Sequence, residues 1–300
     1  MAATVKTGKK LLLGREIEHM IKTAGSTQAE AARIIESSQP RIASLISGGS
    51  SISPGDLEML AKGLGFTDPG YLETLRDLRR ENHKRGHWTT GHNRAYSEEI
   101  RLRISLDEMA DEIRGVEVEA IPGLLQTERY MRSQHEDEPN NAGVTLDDRI
   151  LARLARQKIM DKPNPPLIHY VMSESCVRRT WGEPDDDEIM YEQIMWMVEL
   201  SERPNVRIQV MPFRPPKSRS KERQGKKGIS APFTLLRVPT TGMAGSLMMA
   251  YVEGESEIRY LFEPKPIRVH EEAWGRLTNA ALKFGETRDF LKDVARDFSG

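Results

Sequence analysis

The sequence predicts an α+β protein in two parts, a helical helix-turn-helix domain at the N-terminus and a larger α+β domain after it. Three observations carry that expectation. The stretch Thr27–Gly48, TQAEAARIIESSQPRIASLISG, spaces small and apolar residues as two short helices that cross closely. From residue 97 onward, helical periods alternate with short apolar runs of strand length. A chain of 300 residues suits two units of ordinary size better than one. The domains are expected at 1–80 and 97–300, joined by a linker over 81–96.

In chain order, Lys10 to Ala24 reads as a first helix, with Leu12, Leu13, Ile17, Met20 and Ile21 at helical spacing. Lys6, Lys9 and Lys10 form a short basic arm before it, a source of phosphate contacts or a solvated terminus. Ser26 can cap a second helix, which Gln28 opens. Ala31 and Ala32 fall where two helices approach closely, and Ile35 returns to the same face. Glu36-Ser37 makes the turn. Ser38 is placed to cap a third helix by accepting from its first-turn N–H groups, and Pro40 sits in that turn, where a missing N–H costs nothing. Ile42, Leu45 and Ile46 then face inward, leaving Gln39, Arg41 and Ser44 outward. Gln pairs bidentately with adenine, Arg with guanine, and Ser with a base edge or a phosphate. Gln28, at a helix N-terminus, suits a phosphate oxygen. The expected DNA contacts are Thr27, Gln28, Ser38, Gln39, Pro40, Arg41 and Ser44, and the expected partner is double-stranded DNA.

This segment resembles the XRE/Cro-like repressor family, whose five-helix domain explains its flanks. Ser53-Pro54-Gly55-Asp56 opens a fourth helix, with Leu57, Leu60, Ala61 and Leu64 inward and Gly65 ending it, and Asp68-Pro69 opens a fifth through about Arg80. One departure stands out. The family places Gly at the turn, and here the residue is Glu36; a left-handed backbone there costs about 1 kcal/mol or more, so the expectation is a distorted turn or one carried by Ser37.

Composition narrows the function class. Hydrophobic content of 38% with 30% charged residues is that of a globular protein in water. No apolar run approaches the ~20 residues that span a bilayer, and the N-terminus lacks the apolar core of a signal peptide. A cytoplasmic protein is expected, associated with the nucleoid when bound to DNA. The single cysteine, Cys176, excludes an intrachain disulfide and a cysteine-based zinc cluster; it reads as a small buried residue rather than a reactive thiol. Net charge is -1, but residues 1–103 carry 16 basic and 12 acidic groups, an excess of four. That gives a local basic face rather than a polycation. His83, His87 and His92 lie in the linker without a completing cysteine or carboxylate, so solvated or phosphate-contacting histidines are favoured over a metal site. Trp88 reads as an anchor. No Gly-rich phosphate loop, nucleophile elbow or metal constellation occurs. The expectation is no enzyme, no cofactor and no metal.

In the second domain Ser97 to Arg114 reads as a helix, with a short strand open at Val116–Val118. IPGLLQTERY, from Ile121 to Tyr130, contains a turn and the start of another helix near Thr127. The segment RLARQ sits in a helix begun near Leu146, Leu167–Met172 is a strand, SESCVRRTWG follows it, Ile189–Leu200 is a methionine-rich helix, and PNVRIQVMPF holds a strand. Strands follow at Phe233–Val238, Leu247–Val252 and Glu257–Phe262. Glu271 to Phe298 closes the chain as one or two helices, with Trp274, Leu277, Ala281, Phe284, Phe290 and Leu291 inward. Met190, Met195, Met197, Met248 and Met249 are expected in the core, with an apolar pocket as the alternative.

The order of these segments resembles the PGLLQT-x-x-Y domain that accompanies XRE-type domains in the WhiJ-like group of streptomycete and related actinobacterial regulators. The resemblance implies a transcription regulator whose second domain senses a ligand or a small partner protein encoded nearby, in the control of development or antibiotic production; one small domain buries too little DNA surface for high specificity, so a homodimer on two half-sites is expected. It also leaves an antitoxin-like alternative, in which binding a small partner is the main role and DNA binding serves autoregulation. Candidate effector or partner contacts are Leu124, Gln126 and Tyr130 of the motif, with Arg153, Arg156 and Gln157 on one helical face; a structural turn and a salt-bridged face are the competing readings. Residues 213–228, FRPPKSRSKERQGKKG, hold seven Lys or Arg and one Glu. Lys217, Arg219, Lys221, Arg223, Lys226 and Lys227 there form a phosphate clamp, a dock for an acidic partner, or a solvated insertion.

Overall fold

A computed structural model of the chain describes residues 6–80, 94–136, 143–180, 185–214, 228–254 and 257–299. It divides into two compact units, residues 1–109 with 238–247 and residues 110–237 with 248–300. The linker histidines, Trp88 and the basic residues from Lys217 to Lys227 lie outside the described residues.

The first unit holds α1 (Gly8–Thr23), α2 (Gln28–Ile34), α3 (Gln39–Ile46), α4 (Pro54–Gly63), α5 (Pro69–Arg80) and α6 (Glu98–Asp107). One apolar core joins the first five. Ile17, Met20, Ala31, Ala32, Ile42, Leu45, Leu57, Leu60 and Leu75 are all buried in it. Local chemistry sets the starts. Thr7 caps α1, Ser53 caps α4, and the Asp68 carboxylate accepts the Tyr71 N–H at 2.8 Å. Because α1 begins at Gly8, Lys9 and Lys10 belong to its first turn rather than to an arm, and Lys10 is buried. Gly14 has a packing role that periodicity does not show. A Cβ there would lie 2.2 Å from the Ile46 carbonyl oxygen and 2.7 Å from that of Leu45, so only glycine lets α1 meet the end of α3. Glu16 is a buried carboxylate in the same unit. It accepts the Tyr71 hydroxyl at 2.8 Å, the Met243 N–H at 2.9 Å and the Ala244 N–H at 3.2 Å. Burial first, and this bond second, hold the Tyr71 phenol above its ordinary range.

The second unit is built on a sheet of β1 (Glu112–Glu117), β2 (Leu167–Ser173), β3 (Val206–Met211), β4 (Phe233–Val238), β5 (Leu247–Glu253) and β6 (Ile258–Leu261), in the order β3-β2-β1-β4-β5-β6. β1, β2 and β3 run parallel, while β1–β4 and β5–β6 are antiparallel. The parallel pairs need long crossovers. Helices α7 (Glu128–His135) and α8 (Leu146–Gln157) lie between β1 and β2; α9 (Ser175–Arg178) and α10 (Asp186–Leu200) lie between β2 and β3. Helices α11 (Pro264–Ala280) and α12 (Phe284–Asp297) close the chain. Trp274, Leu277 and Ala281 pack with Val116, Val171, Leu235 and Ala250. Gly115 pairs with Tyr170, and a Cβ on Gly115 would meet the Tyr170 ring at 2.1 Å.

Four expectations are corrected here. The helix from Ser97 stops at Asp107, whose carboxylate takes the Arg103 guanidinium at 2.7 Å in a buried pair. Ile113 suits either period, and the sheet captures it: the Asp111 N–H reaches the Arg237 carbonyl at 3.0 Å, and the Asp111 carbonyl accepts from Leu167 at 2.9 Å. Helix α11 begins at Pro264, seven residues before the expected Glu271, because proline is tolerated in a first turn. Phe284 is 44% exposed at the start of α12, and Met195 is 37% exposed on α10, so neither is a core residue. Cys176 is buried, and burial pushes its thiol up.

Candidate nucleic-acid interface and effector face

Helices α2 and α3 form the helix-turn-helix. Thr27 rather than Ser26 caps α2: its side chain accepts the Glu30 N–H at 3.2 Å while the Glu30 carboxylate accepts the Thr27 N–H at 2.7 Å. These two bonds form a capping box, with Ser26 adding a hydroxyl bond to Glu30 at 3.2 Å. The Thr27 bonds, and then that of Ser26, hold the Glu30 carboxyl below the ordinary carboxylate range.

The turn is not distorted. Glu36 takes the left-handed conformation itself, with φ 47°. Its N–H reaches the Arg33 carbonyl at 3.2 Å, and the Ser37 N–H reaches that of Ala32 at 2.9 Å. This is the two-bond Schellman closure that glycine usually serves. Two satisfied carbonyls outweigh the side chain's steric cost. Ser38 follows at the N-cap of α3 in extended backbone, but its hydroxyl makes no capping bond. Pro40 occupies the first turn of α3.

Ile42 and Leu45 are buried beneath α3, Ile46 is half-buried, and Gln39, Pro40 and Arg41 are exposed, with Ser44 half-buried. The Gln39 Nε2 donates to the Gln28 Oε1 at 2.9 Å. This bond ties the first residue of α2 to the first of α3. It uses one of two hydrogens on the Gln39 amide nitrogen, leaving the other and Oε1 for a partner. The Arg41 guanidinium lies against the Ser51 carbonyl at 3.4 Å. Sequence reasoning placed Gln28 and Gln39 outward but missed their contact, since residues 11 apart on two helices meet only through the turn.

In the second unit the PGLLQT turn is held by glutamines. The Gln157 Nε2 donates to the Gly123 and Gln126 carbonyls at 2.9 and 2.8 Å. The Gln126 Nε2 donates to the Ile121 carbonyl and to the Gln134 Oε1, both at 2.8 Å. Gln193, from α10, donates to the Leu125 carbonyl at 2.8 Å and accepts from the Thr127 N–H at 2.7 Å. A buried turn outside the sheet has no ladder partners, and these amides replace them. Leu124 and Tyr130 are fully buried, which makes them core residues rather than effector contacts. Arg153 and Arg156 lie over Gly123, the guanidinium Nη1 of each 3.7 Å from where a Cβ would stand. Gln193 is a site residue that nothing in the local pattern announced.

No helix among the described residues is long and apolar enough to cross a membrane. Residues 17–72 match the helix-turn-helix family model. Residues 100–293 match the model described as a domain of unknown function, DUF5753. No curated protein and no solved structure matches the chain. An XRE-type helix-turn-helix with an outward α3 makes this a DNA-binding regulator, and with the greater part of its length covered by that second model the chain belongs to the DUF5753 family.

Proposed function

We propose that the protein is a sequence-specific transcription regulator that binds operator DNA as a dimer, through Gln28, Gln39, Arg41 and Ser44, and that its second domain senses a ligand or small partner. The observation that carries the reading is the Gln28–Gln39 bond at 2.9 Å on an exposed face of the helix-turn-helix. It fixes the Gln39 amide so that Oε1 and one N–H stay available for the adenine edge, while Arg41 supplies a fork for guanine. The Gln28 amide nitrogen and the Thr27 and Ser38 hydroxyls are the phosphate-facing groups, with Lys6 and the Lys and Arg residues between 217 and 227 as further phosphate contacts. One such domain buries too little DNA surface for high specificity, so two copies on paired half-sites are expected. The resemblance to WhiJ-like regulators supports a role in development or secondary metabolism.

Fluorescence anisotropy tests it, using duplex from upstream of the protein's own gene against a scrambled duplex at several salt concentrations. Tight, salt-sensitive preference for the native duplex is expected. Replacing Gln39 and Arg41 by Ala should remove discrimination worth about 1–3 kcal/mol each without changing the melting temperature. A lower melting temperature with discrimination intact would show that the wrong face has been assigned to DNA.

A further inference from the structure

We propose that the α8 face over Gly123 is a binding site for a carboxylate that carries an N–H or O–H donor beside its charged group. The inference deepens the sensing role proposed above by giving the ligand's chemistry. Three polar atoms converge on one point, the place where a side chain on Gly123 would begin. Arg153 Nη1 and Arg156 Nη1 are each 3.7 Å from it and Gln126 Oε1 is 4.0 Å from it. Gly123, Arg153 and Arg156 are half-buried, so each of the residues around the point keeps some exposed surface.

Gln126 is the residue that points to a ligand. The residue is 97% buried and its side-chain nitrogen is used twice, yet Oε1 is buried with no hydrogen-bond donor. The amide cannot simply be turned over, because the Ile121 carbonyl facing its nitrogen demands a donor. A buried acceptor left without a donor is an exception in folded proteins and calls for a partner.

The two guanidiniums are donors only. Each also has a partner of its own, and a guanidinium's five N–H groups in a fork can serve a ligand oxygen beside such a partner. The site therefore asks for acceptor oxygens on one side and a donor on the other. Sulfate or a halide supplies only the first. A carboxylate next to an amide N–H or a hydroxyl supplies both, and its planar group can lie on the bare backbone of Gly123. The free carboxyl end of a peptide and a small N-acyl amino acid share this chemistry.

The test is isothermal titration calorimetry on the full chain without DNA, with N-acetylglycine as probe, and with propionate and N-methylacetamide as controls that keep only the acid or only the donor. N-acetylglycine should bind about tenfold more tightly than either control, since propionate lacks the amide N–H for Gln126 and N-methylacetamide lacks the charged carboxylate for the two guanidiniums. Gly123→Ala is the decisive variant. Its Cβ would have only ordinary contacts, and the φ of Gly123 is not positive, so the melting temperature should stay and binding should fall at least tenfold. Arg156→Gln should weaken binding to a similar degree. Equal binding to wild type and Gly123→Ala, or no preference over propionate, would overturn the site. A tetrapeptide ending in glycine separates the sources: tighter binding than N-acetylglycine points to a protein C-terminus, weaker binding to a small molecule. Binding that leaves operator affinity unchanged would keep the site and reject the sensing role.

Discussion

Glu36 shows how one side chain can be overruled by its neighbours. A left-handed backbone disfavours any residue with a Cβ by about 1 kcal/mol, and Glu36 adopts it because the closing bonds to Arg33 and Ala32 require it. Glu36→Gly should therefore stabilise the protein by about that amount, read as a higher urea midpoint with an unchanged slope. No gain would mean that the Glu36 side chain makes up the cost elsewhere.

His169 carries a second prediction at the residue scale. Its ring lies edge-on to Trp274 at 4.8 Å and to Phe284 at 5.5 Å, and its Nε2 is 2.9 Å from the Gln209 Oε1. Both hydrogens of the Gln209 amide go to the Thr278 and Leu282 carbonyls. Oε1 is thus the acceptor and His169 Nε2 the donor. Burial lowers the His169 pKa from 6.5 to about 4, with the Gln209 bond opposing and the Arg207 and Arg114 charges adding to it. The folded state refuses a proton that the unfolded chain accepts. Stability from this residue is full above pH 6.5 and is lost as pH falls towards 4, by on the order of 3 kcal/mol. Urea midpoints at pH 7 and 4.5 should show the fall, and His169→Asn should reduce it.

At the scale of elements, glycines decide how closely the pieces approach. Gly14 sets α1 against the last carbonyls of α3 and Gly115 lets Tyr170 lie across β1. Gly14→Ala has backbone in its way, which cannot move aside as a flexible side chain can. It should cost about 1–3 kcal/mol and weaken DNA binding by tilting α3. A melting curve and anisotropy on the same variant check both effects. Full affinity at a lowered melting temperature would mean that α3 keeps its place without α1. Caps work on the same scale, since Thr27 and Thr145 each set a helix start through a reciprocal bond with the third helical residue.

For the whole molecule, charge distribution outweighs net charge. A chain of net charge -1 gains little from general attraction to a polyanion, so binding should depend on local basic groups and on two copies acting together. Sedimentation on an operator duplex should give two chains per duplex; one chain at saturation would reject the dimer. Neutralising the Lys and Arg residues of 214–227 should flatten the salt dependence if they meet phosphates, by roughly 0.9 in slope for each phosphate no longer neutralised. An unchanged slope would remove those residues from the interface.

Taken alone, the sequence determined where α2 to α5 begin, the inward and outward faces of α2 and α3, and most strands. These depend on short-range chemistry: a cap three residues from its N–H, a period of three or four, a proline in a first turn. It also carried the XRE-type resemblance, because the helix-turn-helix packs residues close in sequence. Only the tertiary structure decided that Glu36 accepts a left-handed turn, that Ile113 joins the sheet instead of α6, and that Leu124 and Tyr130 are core while Gln126, Arg153 and Arg156 surround Gly123. Each of those outcomes depends on groups brought together by the fold, where local propensities differ by about a kcal/mol and one distant hydrogen bond or one buried side chain settles the choice.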